Sequence, residues 1–269
     1  MSVSEVPGFP GKHTERSKSL PTKIHVIANQ KGGVGKTTLA VNLAAITYAV
    51  LVESNSPLKA LPRDDDTPSP VMVASTDPQG STVWWSDRVK NRGGLPFDFA
   101  QVDNPRDLKK LASLNYEHIF VDTPGSLEDE RILQLALEEC DDVLVPMTPE
   151  PLSYDPTRLT IDEVISPRGI PYRVVVNNWD PRDGVVDLQQ TAQFIARSGW
   201  PACKTVIRRY KLHTRASAEG QVVTQYPRNR TASEAREDFL YLALELGYGG
   251  AATVALAQAA PVATAEVKA

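Results

Sequence analysis

The run Gln30-Lys31-Gly32-Gly33-Val34-Gly35-Lys36-Thr37-Thr38 directly follows the apolar stretch Ile24 to Ala28, and its residue types are those of a phosphate site. Glycines let the backbone wrap closely around phosphate oxygens and aim its N–H groups inward, at the positive end of the helix that follows. Lys36 would reach the β- and γ-phosphates and Thr37 a Mg²⁺ ion. The expected binding set is Lys31, Gly32, Gly33, Val34, Gly35, Lys36, Thr37 and Thr38, and the expected ligand is a nucleoside triphosphate with its metal.

The ordinary pattern GxxxxGK[ST] wants glycine where this chain has Gln30, and a second lysine, Lys31, opens the loop. In this form, KGGxGK[ST], the run resembles the deviant Walker A ATPases, which include the ParA partition ATPases, MinD and the nitrogenase iron protein. In that family the extra lysine crosses to the partner subunit's ATP. At Lys31 the resemblance therefore implies a homodimer with two nucleotides between its subunits.

Two carboxylates stand where strands should end beside the loop: Asp77 in Ser75-Thr76-Asp77-Pro78-Gln79-Gly80 and Asp122 in Ile119-Phe120-Val121-Asp122-Thr123-Pro124-Gly125. Ligands of parallel sheets lie beyond the carboxyl ends of the strands, and hydrolysis needs a metal anchor and a group that orients water. Asp122 resembles the Walker B aspartate, with Thr123-Pro124-Gly125 as a switch segment. Asp77 matches the second aspartate of the family's DxDPQG motif, which implies a water-positioning role. Many partition ATPases carry an acid where this chain has Ser75. The expected catalytic residues are Lys31, Lys36, Asp77 and Asp122, with Thr37 and Asp122 serving the metal. Asn177, ending the apolar run Tyr172 to Val176, resembles the family's base-reading asparagine, and its amide offers the donor and acceptor that adenine's edge requires.

Composition permits one sizeable core: 269 residues, 41% of them hydrophobic, with no sign of two independently folded halves. Lysine and arginine total 29 against 33 acids, so any nucleic-acid surface must be a local patch. The most basic cluster is Ile207 to Arg215, where Arg208, Arg209, Lys211 and Arg215 are candidate phosphate-backbone contacts. The region of Arg209 matches the one through which ParA dimers hold DNA without reading its sequence. No stretch approaches the roughly 20 apolar residues that span a bilayer, and the polar start lacks the apolar centre of a signal peptide, so a cytoplasmic protein without a membrane partner is expected. The two cysteines, Cys140 and Cys203, lack metal or CxxC spacing, and the four histidines lack HxxxH or HExxH spacing.

The elements that must position these residues alternate as in an α/β fold, a predominantly parallel sheet flanked by helices. Strands are expected at 23–29, 71–75, 98–102, 118–122, 142–146, 172–177 and 204–207. Helices are expected from Thr37, then at about 81–91, 105–113, 128–140, 154–165, 186–198 and 212–219, with a last one opened by a capping box of Thr231 and Glu234. Around this ATPase domain, 22–248, lie three other segments. Residues 1–21 read as a flexible, mildly basic arm and 52–70, with four prolines and Asp64 to Asp66, as an exposed insertion. The Ala-rich tail 249–269 reads as disordered. The short segment before the first strand leaves no room for the helix-turn-helix domain of larger partition ATPases.

The resemblance runs from about Lys23 to Tyr248 and is nearest the short ParA proteins. It implies a DNA partition ATPase in which the ATP-bound dimer coats non-specific double-stranded DNA on the nucleoid and a ParB-type adaptor stimulates hydrolysis and release. A MinD-like positioning ATPase and a ligase-type metabolic enzyme on the same scaffold are the alternatives. The tail after Gly249 carries one lysine and no amphipathic basic helix of the kind that holds MinD to membranes.

Overall fold

The computed structural model describes residues 21–52, 69–76, 94–102, 104–125 and 130–249. The arm up to residue 20, most of 52–70, Asp77, the helix expected at 81–91 and the tail from 250 lie outside the described residues. Among the described residues seven strands form one sheet: β1 (Lys23–Ile27), β2 (Val71–Ser75), β3 (Asp98–Gln101), β4 (His118–Asp122), β5 (Asp142–Met147), β6 (Tyr172–Trp179) and β7 (Ile207–Arg208), in the order β3-β2-β4-β1-β5-β6-β7. Every pairing is parallel. The chain leaves β1 toward β2 and β3, returns through β4, then crosses to β5 on the other side. The end of β1 is thus the topological switch point, where such sheets bind ligands.

Side-chain alternation sends successive residues to opposite faces, so each face acquires its own core. Ile27, Val73, Phe120 and Leu144 face one cluster with α1 (Lys36–Val52) and the last helix, α6 (Arg230–Leu246). Val26, Ala74, Val121 and Val145 face the other, with α2 (Glu130–Glu138), α3 (Tyr154–Leu159) and α4 (Val186–Arg197). Helix α1 is buried continuously from Leu39 to Val50, not along a single stripe. A helix enclosed on all sides belongs to the centre of its domain, and the phosphate loop is attached to its first turn.

Several boundaries depart from the sequence expectation for local reasons. The segment Pro105–Ser113 is a 3₁₀ helix, capped by Asn104, whose side chain accepts from the Arg106 amide. The expected helix 154–165 changes at Thr160 from α3 into a π-helical stretch, Thr160–Ile165. Strand β7 starts only at Ile207, because the amides of Lys204 and Thr205 donate to the Glu245 carboxylate instead of to a neighbouring strand. The last helix is capped by Asn229, whose side chain accepts from Ala232, and Thr231 already lies inside it. Ser69 and Pro70, at the end of the segment expected to be exposed, are buried, and the Pro70 carbonyl accepts from Glu117 and His118. A short helix α5 (Lys211–Glu219) follows β7.

Strand register also gathers histidines that are distant in sequence. His25 Nε2 lies 2.9 Å from His118 Nδ1, and His25 Nδ1 lies 2.8 Å from Asp142. Burial, aided by His25, pushes His118 down to about 3, and burial alone pushes His213 down to about 4. Both stay neutral in the folded protein while the unfolded chain takes up protons near pH 6.5. Their contribution is therefore intact above that pH and lost as pH falls toward the folded values. From pH 7 to pH 5 each should cost about 2 kcal/mol. Denaturant titration at the two pH values measures this, and His213→Phe, whatever its stability at pH 7, should remove about half of the drop. An unchanged drop in that variant would contradict the assignment.

Candidate functional site

The phosphate loop begins where β1 ends, and its backbone is fixed from below. Gly33 and Gly35 adopt φ of 77° and 86°, which an L side chain rarely adopts. A Cβ at Gly32 or Gly33 would meet nothing within 4 Å, so that side of the loop is open to a ligand. Lys36, in the first turn of α1, is buried, and its ammonium donates to the carbonyls of Asn29 at 2.9 Å and Lys31 at 3.1 Å. The charge is held under the arch of the loop.

The carboxylate of Asp122 reaches this point from the end of β4, in register with Ile27 of β1 and Ser75 of β2. It is fully buried and accepts from the Thr37 hydroxyl at 2.7 Å. Thr76 donates to the Asp122 carbonyl through both its amide, at 2.9 Å, and its hydroxyl, at 3.0 Å, which fixes the residue immediately before Asp77 beside Asp122. Thr123 donates to the Ile27 carbonyl at 2.8 Å. Gly125 then passes so close to the loop that a Cβ there would lie 3.2 Å from both Gly32 Cα and Lys36 Nζ. The sequence-predicted loop, Asp122 and its glycine thus converge on one crevice.

Hard oxygen donors and a caged ammonium are the chemistry that a triphosphate with Mg²⁺ requires. Thr37 and Asp122, 2.7 Å apart, are the residues that could hold the metal, which would supply positive charge beside the phosphates. Among the described residues no three His, Cys, Asp or Glu side chains converge on a point. Cys140 and Cys203 are free thiols, and burial pushes each up to about 12, so neither is a ready nucleophile.

Asn177 lies under the loop. It is 2% exposed, and its amide nitrogen donates to the Val34 carbonyl at 2.6 Å. That donor braces the loop. Asn178, half-buried and in a left-handed conformation (φ 62°), puts its amide nitrogen 3.5 Å from the Cβ position of Gly35. Both amide nitrogens thus lie near the Cβ position of Gly35, that of Asn177 at 2.4 Å and that of Asn178 at 3.5 Å, where the strand register is irregular.

The basic cluster divides in the same way. Arg208 is held by Asp238 through Nε and Nη2, with Nη2–Oδ1 at 2.7 Å, and also donates to the Glu234 carbonyl. The carboxylate raises its affinity for the proton, and the guanidinium ties β7 to α6. The pair engages Nε and Nη2, and the side chain remains 27% exposed. Arg209, Lys211 and Arg215 are exposed, the latter two one turn apart on α5. Arg182 is paired with Asp180, and that carboxyl is held well below its usual range by Arg182 with a further contribution from Arg209. No helix among the described residues is long and apolar enough to cross a membrane.

Residues 25–52, which carry the loop, match the family model described as the CobQ/CobB/MinD/ParA nucleotide binding domain. The chain is 37% identical over 233 residues to the maintenance of carboxysome distribution protein A of Gloeobacter kilaueensis, covering 86% of this chain and 96% of the relative. Among solved structures it is similar to the MinD cell division protein of Aquifex aeolicus, with a TM-score of 0.58 at 21% identity over 81% of this chain and 94% of that one. It is also similar to an ATP complex of a Cyanothece McdA variant, with a TM-score of 0.60 at 14% identity over 85% and 98%. The two solved structures establish a shared fold.

Proposed function

The chain belongs to the ParA–MinD family of P-loop nucleotide-binding proteins, and from that premise we propose that it is an ATPase that positions a cargo by cycling on and off DNA. The observation that carries the reading is the loop with two lysines, in which Lys36 is caged by carbonyls and Thr37 is held 2.7 Å from Asp122. In this proposal Lys36 and the loop amides neutralise the phosphates, Lys31 reaches across to the partner subunit's nucleotide, and Thr37 and Asp122 serve Mg²⁺, which polarises the phosphoryl oxygens when bound. Asp77, outside the described residues, is proposed to orient the attacking water. With Asn177 committed to Val34, recognition of the base at that edge is proposed for Asn178.

Relatives named for carboxysome distribution favour a positioning role over plasmid or chromosome partition. We therefore propose that the cargo is a protein-bounded assembly such as a carboxysome, and that an adaptor on it, in the place of a ParB-type partner, triggers hydrolysis. The DNA surface is proposed to be Arg209, Lys211 and Arg215, holding phosphates without reading bases, so that the ATP-bound dimer lies on the nucleoid.

Duplex-DNA binding with ATP, ADP or no nucleotide at fixed salt tests the proposal. Binding should need ATP and weaken steeply with salt, and Arg209→Glu should weaken it at least tenfold with ATP affinity unchanged. Arg208→Ala should instead lower stability by about 3 kcal/mol, because it leaves Asp238 buried without its partner. Unchanged DNA affinity in Arg209→Glu would remove this surface from the account.

A further inference from the structure

Three side chains outside the nucleotide motifs hold the first turn of the loop. Asn29 is 1% exposed and its amide is fully engaged: the nitrogen donates to the Pro146 carbonyl at 2.8 Å and to the Thr157 hydroxyl at 2.9 Å, while the oxygen accepts from the Lys31 amide at 2.8 Å. The Gln30 amide donates to the Thr160 hydroxyl at 3.0 Å, and that hydroxyl passes its own hydrogen to the Pro156 carbonyl at 2.8 Å. Both amides that fix the direction of the chain at Lys31 are therefore fastened, directly or through Asn29, to α3 and the first residue of its π-helical continuation. The carbonyls of Asn29 and Lys31 in turn grip Lys36. Beyond them, a Cβ at Gly32 or Gly33 would touch nothing within 4 Å, so no packing of the loop itself would replace these bonds.

The attachment falls at an irregular place in the helix. Thr160 is the residue at which α3 becomes π-helical, and Thr157 and Thr160 are both fully buried. A π turn costs regular hydrogen bonding and is retained mostly where function uses it. Here it accompanies two hydroxyls presented to the loop from successive turns.

We propose that Asn29, Thr157 and Thr160 are positioning residues that aim Lys31. The proposal rests on the reading of Lys31 as the lysine that serves the partner subunit's nucleotide. With the clamp in place, Lys31 leaves the loop in one direction before any partner arrives, so little ordering remains to be done on dimerisation. Without it the Gln30 amide loses its acceptor and the lysine's direction spreads, whereas Lys36 and the glycine amides still receive the phosphates.

Thr160→Val keeps the shape and removes the hydroxyl, and Thr160→Ser restores it. Each is compared with the wild type and with Lys31→Ala for amide hydrogen exchange at Gln30 and for kcat and KM toward ATP. The valine variant should raise exchange at Gln30 about tenfold and lower kcat about tenfold, with KM within about threefold of wild type. Serine should recover both, and Lys31→Ala combined with Thr160→Val should lose no more than Lys31→Ala alone, since both act on one side chain. Wild-type kcat in the valine variant, or losses that simply add in the double variant, would overturn the assignment. A wild type that turns over no ATP would sink the functional reading instead; unchanged exchange at Gln30 would still, independently, sink the clamp.

Discussion

Lys36→Ala is expected to abolish ATP turnover, with a loss of at least about 10³-fold, and to weaken ATP binding about 100-fold or more. The lysine is buried, and its ammonium is placed by two loop carbonyls before any phosphate arrives, so its charge is available without reorganisation. Truncation removes the charge from a confined site and frees the Asn29 and Lys31 carbonyls that hold it. The Asn29 carbonyl is buried, so losing the ammonium should also cost the fold about 1–3 kcal/mol. Titration calorimetry and phosphate release, with thermal unfolding alongside, separate the site effect from the fold effect. Turnover within threefold of wild type would show that Lys36 does not bear on the transferred phosphoryl group.

The second large effect is structural. Gly35 has φ 86°, and a Cβ there would lie 2.4 Å from the Asn177 amide nitrogen, closer than any tolerated contact. That nitrogen cannot swing aside cheaply, because it is buried and bonded to the Val34 carbonyl. Gly35→Ala should therefore combine a left-handed backbone penalty of about 1–2 kcal/mol with a broken buried hydrogen bond of about 1–3 kcal/mol, and the displaced loop should lose nucleotide binding. Gly33 is the internal control. Its φ of 77° is similar, but nothing lies within 4 Å of its Cβ position, so Gly33→Ala should bear the backbone cost alone. Adding Asn177→Ala to Gly35→Ala should relieve the collision but leave the dihedral cost in place. Equal destabilisation by the two glycine variants would show that the brace does not set the loop.

The loop, Asp122 and most strands were legible because each is written locally: an apolar run, then glycines and a lysine at fixed spacing. Strands 71–75 and 118–122 appear with the bounds expected of them. What failed was decided by partners far along the chain. Arg208 reads as a surface cation until Asp238, thirty residues later, turns out to hold it. Asn177 and Asn178 are chemically identical, and a register irregularity between Asn177 and Trp179 decides which one braces the loop. The clamp on Lys31 joins residues about 130 positions apart, and two threonines in a helix carry no signal of it. Thr231 and Glu234 matched a capping box by spacing, but Asn229 lay one residue before the helix start and was the better cap.

The central claim is that this loop works between two copies of the chain. Sedimentation of the wild type with Mg²⁺ and either ATP or ADP, beside Lys31→Ala, tests it most directly. The account predicts that ATP doubles the mass of the wild type while ADP does not, and that Lys31→Ala still binds ATP yet dimerises far less. A wild type that stays monomeric with bound ATP, or a dimer indifferent to nucleotide and to Lys31, would contradict it.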